Sequence, residues 1–234
     1  MKRAATVAAF VVAMFPAAAR AQPDAAPRPR SFEVYVGAIA IGPVDFGRST
    51  ARLTPNQSAA RDFALFVSDT SIGTAAGFDG RVAFNITRAL AVEGGFVWTH
   101  PEVQSRITSD VEGVPDATIT QNLDTYFVEA SALFHLNALT FAGGRGLPFV
   151  AGGAGYLRQL DDDQVLVDTG QVYHAGGGVK VFFGDNASRR TGLIRGIGLR
   201  ADGRVYFRNG GFELEEDADL RTTWSVSGGL VVRF

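Results

Sequence analysis

The chain contains no cysteine in 234 residues. Rigidity in an exported protein then cannot rest on disulfides, and a closed hydrogen-bonded sheet is one alternative source. Long apolar runs are also missing beyond the first fifteen residues. Each later run is broken by glycine or a polar side chain within about ten positions, whereas a membrane-crossing helix needs roughly 20. That argues against helical spans but leaves strands open, because a β-span gives a much weaker hydropathy signal. Disorder is excluded by what accompanies the glycine: 28 glycines stand beside 18 phenylalanines, and disordered segments are poor in aromatics.

The opening MKRAATVAAFVVAMFPAAARAQ places Lys2 and Arg3 before an apolar run that ends at Phe15, followed by Ala19-Arg20-Ala21. This is the layout of a secretory signal peptide, too short to span a bilayer, with cleavage expected after Ala21. Cleavage removes three of the 22 basic residues and none of the 24 acidic ones, leaving a net charge of −5. Such a balance argues against nucleic acid as partner. Residues 22–31 read as a Pro-rich leader, extended and mobile, and residues 32–234 as one domain.

Eight stretches carry the strand period of two, each bounded by turn residues: 32–41, 73–84, 90–99, 123–136, 147–158, 171–183, 195–207 and 221–234. Their lengths suit tilted transmembrane strands, which need about 9–11 residues in hydrocarbon. The connections alternate. Segments 42–72, 100–122, 159–170 and 208–220 are long and polar, while 85–89, 137–146 and 184–194 are shorter. Long loops on one side and short turns on the other are the signature of an outer-membrane barrel, and an even strand count returns both termini to the same side. The expected fold is all-β: an eight-stranded antiparallel up-and-down transmembrane β-barrel.

The two faces of these strands differ in kind. Phe78, Val82, Phe84, Phe96, Val128, Val181, Leu199 and Val205 fall on one set of alternate positions. Asp79, Arg81, Glu93, Glu129, Lys180, Arg200, Asp202, Arg204 and Arg233 fall on the other. With the apolar face turned to lipid, these nine charges line a lumen that eight strands leave just wide enough for side chains to fill. Opposite charges there can pair, the condition for tolerating them in a dry interior. The lumen is therefore expected to be a polar plug. Trp98, Tyr126, Phe183, Phe207 and Trp224 fall near strand ends, where aromatic girdles meet the two interfaces.

The last strand, RTTWSVSGGLVVRF, ends in Ser227-x-Gly229-x-x-Val232-x-Phe234. This resembles the C-terminal signal read by the assembly machinery of bacterial outer-membrane barrels, with Val232 at a place often held by an aromatic. Residues 32–234 as a whole resemble the small eight-stranded outer-membrane β-barrels, the OmpA/OmpX-like and opacity-protein-like group. The resemblance implies outer-membrane lipid and lipopolysaccharide as surroundings and the assembly machinery as partner. It leaves activity open, because such scaffolds vary their loops.

Catalytic chemistry finds little footing. His100 begins a loop, His135 ends a strand, and His174 lies mid-strand with no serine at i±2 to be activated. The acidic runs Asp161–Asp163 and Glu213–Asp219 lack the glycine and spacing of a calcium loop. Gly152-Gly153 and Gly176-Gly177-Gly178 open no helix and so form no phosphate loop. No catalytic residue, metal or cofactor is expected. The chain reads as a monomeric barrel with a structural or surface-interaction role, any extracellular partner being met through 42–72 and 100–122. The alternatives are a narrow porin-like channel, a lipid A-modifying enzyme and a soluble periplasmic barrel holding an apolar ligand.

Overall fold

Alternation becomes geometry in the computed structural model, which describes residues 25–53, 63–109, 115–161, 166–183, 193–209 and 221–234. Eleven antiparallel strands follow in chain order among these residues: β1 (Ser31–Ile41), β2 (Val44–Leu53), β3 (Phe63–Ile72), β4 (Ala75–Asn85), β5 (Leu90–Thr99), β6 (Glu102–Thr108), β7 (Ala117–His135), β8 (Gly146–Asp161), β9 (Leu166–Phe183), β10 (Gly196–Asn209) and β11 (Arg221–Arg233). Eight of them close a ring in the order β1–β4–β5–β7–β8–β9–β10–β11, and β11 returns to β1 with Glu33 opposite Arg233 and Ile41 opposite Ser225. Closure leaves no free edge within the ring, which is the condition for crossing hydrocarbon with strands.

Which face looks outward is settled by exposure. Phe78, Phe96 and Val205 are 40%, 44% and 39% exposed, whereas Arg81, Glu93 and Arg204 are 2% or less. An uncapped belt of apolar side chains around a ring of buried charge is the partition of a transmembrane barrel, the reverse of a soluble one. On β9, Tyr173 faces outward near mid-strand and Phe183 at the terminal end, ten positions apart. That is roughly 33 Å of strand and about 25 Å of height once tilted by ~40°, the thickness of the apolar band.

Three strands lie outside the expected eight. Segments 42–72 and 100–122, read as polar loops, fold into β2, β3 and β6, which pair with each other and with the first residues of β7. The sheet so formed projects from the end of the barrel opposite the termini. Its strands escape a search by amphipathic contrast because most of their described residues on both faces are exposed or half-buried, so no apolar side stands out. β7 and β9 are longer than expected for the same reason: their extra turns of pleat stand beyond the apolar belt, where polar residues suffice.

At the opposite end two described connections are held by local hydrogen bonds and backbone conformation. Thr87 Oγ1 accepts from the amides of Ala89 and Leu90 at 3.1 and 2.9 Å to shape the β4–β5 turn. Between β7 and β8, Ala142, Gly143 and Gly144 take positive φ in succession, a conformation that glycine adopts at little cost. The leader does not hang free from residue 25 on. Ala25 is buried, its amide donates to Gly144 O at 2.8 Å, and it packs with Leu147, Phe182 and Val231.

Candidate functional site

Inside the ring, side chains are stacked in three layers. The middle layer is ionic. Glu93 lies at its centre, 2.5 Å from Arg200 Nη1, 2.9 Å from Arg204 Nη2 and 3.6 Å from Arg81 Nη1. Glu129 receives Arg81 at 2.9 Å, Arg204 at 3.2 Å and the Tyr206 hydroxyl at 2.6 Å. Asp79 holds Arg81 Nε, and Asp202 holds Arg200 while accepting from Ser227 Oγ at 2.7 Å. Each arginine thus bridges at least two carboxylates.

The space for these long side chains comes from the residues opposite them. Gly95 stands between Arg81 and Glu129, Gly176 faces Arg204, and Gly178 faces Asp202 in the strand register. A Cβ on Gly95 would come within 3.1 Å of Arg81 Nη1. Glycine is therefore part of the site as much as the charges are.

Toward the terminal end, Glu33 accepts from Lys180 Nζ at 2.5 Å and from Arg233 Nε at 2.8 Å. Lys180 also donates to His135 Nε2 at 3.3 Å, and Arg233 donates to the Ala25 carbonyl at 2.9 Å. Arg233 lies over the Phe182 ring at 4.0 Å, and the apolar residues below it form the floor. All nine charges singled out from the sequence lie in these two groups, each 8% exposed or less. Those nine comprise five cations and four carboxylates. Glu33 supplies the fifth carboxylate and brings these two groups together to neutrality. The surplus cation was the available signal, since Glu33 shares a strand face with Tyr35 and Ile39.

Toward the distal end the lumen turns apolar, where a polar plug was expected. Ile39, Ile41, Val97, Phe127, Leu157 and Val172 form one buried cluster. Above it a cavity of about 50 Å³ opens at the mouth, with Arg208 and Arg221 in its wall. The physical reason is that ionic pairing needs every group satisfied. At this level the inward positions carry Ile39, Ile41, Val97, Phe127, Leu157 and Val172, so the next turn of pleat is filled by aliphatic and aromatic side chains.

The structure also brings together a pair that sequence spacing could not reveal. Ser131 Oγ lies 2.9 Å from His174 Nε2 across two strand pairings, and Arg204 Nη1 approaches the same nitrogen at 3.2 Å. Both residues are buried, and His174 Nδ1 has no hydrogen-bond partner among the described residues. His100 lies outside the lumen, against Asp124 at 3.0 Å. Among the described residues no group of three His, Cys, Asp or Glu is placed to hold a metal. Of the acidic runs, only Asp161 lies within the described residues. Gly152–Gly153 and Gly176–Gly178 lie in paired regions of β8 and β9.

The aromatic and terminal motifs occupy the outside and the seam. Trp98, Phe183 and Trp224 are exposed, and Tyr126 and Phe207 are half-exposed. Phe183 lies at the terminal rim, with the Phe32 and Phe84 rings in tilted contact at 4.9 Å nearby in that rim, and the other four lie toward the distal end. Ser227 points inward to Asp202, and Gly229 faces both Gly37 and Arg200. Val232 pairs with Val34, and the Phe234 amide donates to Phe32 O at 2.9 Å.

An eight-stranded closed antiparallel ring, an apolar outside and a charged inside together define the fold of the small outer-membrane β-barrels, and this chain has that fold. Among solved structures it is similar to the outer membrane protein OprG from Pseudomonas aeruginosa, with a TM-score of 0.53 and 10% identity over 91% of this chain and 99% of that one. The solid-state NMR structure of outer membrane protein AlkL in DMPC bilayers aligns with a TM-score of 0.43 and 13% identity, over 96% and 97% of the two chains. The N-terminal β-barrel domain of Pseudomonas aeruginosa OprF aligns with a TM-score of 0.40 and 14% identity, over 88% and 98%. No family model and no curated protein matches the sequence.

Proposed function

We propose that the chain is exported by its N-terminal segment and resides in the bacterial outer membrane as a monomeric, non-catalytic barrel with a structural or surface-interaction role. The observation that carries this reading is the pair of interlocked ionic groups stacked across the lumen, neutral in sum. Five cations and five carboxylates, all buried, fill the cross-section that a water path would need. A fully paired array of this kind resists opening, since freeing one group leaves its partner as an uncompensated charge.

The same reading assigns interaction to the projecting sheet of β2, β3, β6 and the start of β7, where ordered strands carry polar faces into the medium. Outward charge on this sheet, such as Arg48 near Asp69, suits contact with lipopolysaccharide or an extracellular partner. The C-terminal strand is the segment presented to the assembly machinery. Ser131 and His174 support no hydrolytic role in this reading, because a serine nucleophile needs a base oriented by a third group and open to substrate.

Membrane fractionation with heat-modifiable gel mobility tests the location and the closed barrel together. Planar-bilayer recording tests the lumen: no steady single-channel current is expected, and a stable conductance would favour the porin-like alternative. Mass spectrometry of lipid A from cells with and without the protein is expected to show the same acyl pattern. A changed pattern would return the lipid-modifying enzyme to first place.

A further inference from the structure

The ionic layer closes the lumen from below but leaves the distal mouth with a chemistry of its own. Ile41, Phe127, Leu157 and Val172 give it an apolar base, and the cavity above them holds about 50 Å³. That is room for roughly four groups the size of water. Arg208 and Arg221 stand in its wall. Arg208 is 7% exposed, is ion-paired with Asp168, and reaches Gln159 Oε1 at 3.4 Å. Its Nε has no hydrogen-bond partner among the described residues. Arg221 lies over the Phe46 ring at 4.4 Å, and no described carboxylate is within ion-pair distance of it.

Among the described residues, the two guanidinium groups share one ion-paired carboxylate, Asp168, and Arg221 stands without one beside an apolar base. A buried donor without a partner and an unmatched cation both gain from an acceptor that carries negative charge. A neutral apolar guest would fill the base but leave both unsatisfied. A phosphate would satisfy them but bring no apolar body to cover Phe127 and Leu157. A long acyl chain has no path, because the buried apolar cluster fills the lumen below the cavity and the ionic layer follows it.

We propose that the distal mouth is a binding site for a short-chain carboxylate, with about four carbons in the apolar base and the carboxylate between Arg208 and Arg221. The site is independent of whether the projecting sheet has a partner. It takes its ligand from the open end, so it does not require conduction.

The test uses refolded protein in phosphatidylcholine nanodiscs, titrated with sodium pentanoate and with pentan-1-ol while backbone amide shifts are followed. Pentanoate is expected to move the Gly42 and Gly73 amides at the mouth saturably, with lipid-facing Val36 and Val128 unmoved. The alcohol is expected to need about tenfold more for the same response. Arg221→Gln, at a half-exposed position, is expected to erase that difference while heat-modifiable mobility stays normal. Val172→Trp is expected to fill the base and abolish both responses. Equal response to acid and alcohol in the unaltered protein, or shifts confined to Val36 and Val128, would overturn the proposal.

Discussion

A charge in the lumen is worth what its neighbours make of it. Glu93 serves three arginines, so Glu93→Gln is expected to cost about 3–5 kcal/mol, the range for removing one partner of a buried ion pair. Urea unfolding in lipid bilayers measures it. Asp69→Asn, which removes the exposed partner of Arg48 at 4.0 Å, is expected to change the same midpoint by less than about 1 kcal/mol. The glycines give a second contrast. A Cβ on Gly176 would lie 2.8 Å from Arg204 Cα, against backbone that cannot step aside, while one on Gly94 meets nothing within 4 Å. Gly176→Ala is therefore expected to destabilise by about 1–3 kcal/mol, and Gly94→Ala to stay within about 0.5 kcal/mol. At this scale the period of two was enough to find nine lumenal charges, because one residue of register error would have put every one of them into lipid. Glu33 is harder to find because its strand is otherwise apolar on both faces, with Phe32 and Val36 on one and Tyr35, Ile39 and Ile41 on the other. Ser131 and His174 escaped for a deeper reason: residues 43 positions apart meet through pairings that no local spacing encodes.

At the level of elements, the barrel strands were legible and the projecting ones were not. Hydrocarbon imposes contrast between the two sides of a strand, and contrast is what a sequence can display. Water imposes none, so β2, β3 and β6 look like loops until their hydrogen bonds are seen. The corollary is that the projecting hairpin is separable. Replacing residues 44–72 with a short Gly-containing turn is expected to leave heat-modifiable mobility intact, since the ring's pairings lie outside that segment. Loss of the folded band in that variant would mean that the extension helps to hold the ring. The layered lumen was also hidden, because Val97, Leu157 and Val172 are ordinary residues in sequence and gain meaning only by converging from β5, β8 and β9.

For the whole molecule, stability is set by the match between outer surface and bilayer. Val128 is 60% exposed on the outer face, and Val128→Arg is expected to cost about 2–4 kcal/mol if it sits near the midplane. Unfolding titrations of the variant in bilayers check the figure. The ring is joined where its first and last strands meet, and Glu33 with Arg233 spans that join from opposite ends of the chain. A polypeptide short of its final segment would hold a lumenal acid facing one cation where it wants two, along with two bare strand margins. Completion and electrical balance thus arrive in a single event. The fold carries its own receipt for having been finished: a sheet that stops one strand early betrays itself by unmatched charge as well as by open edges.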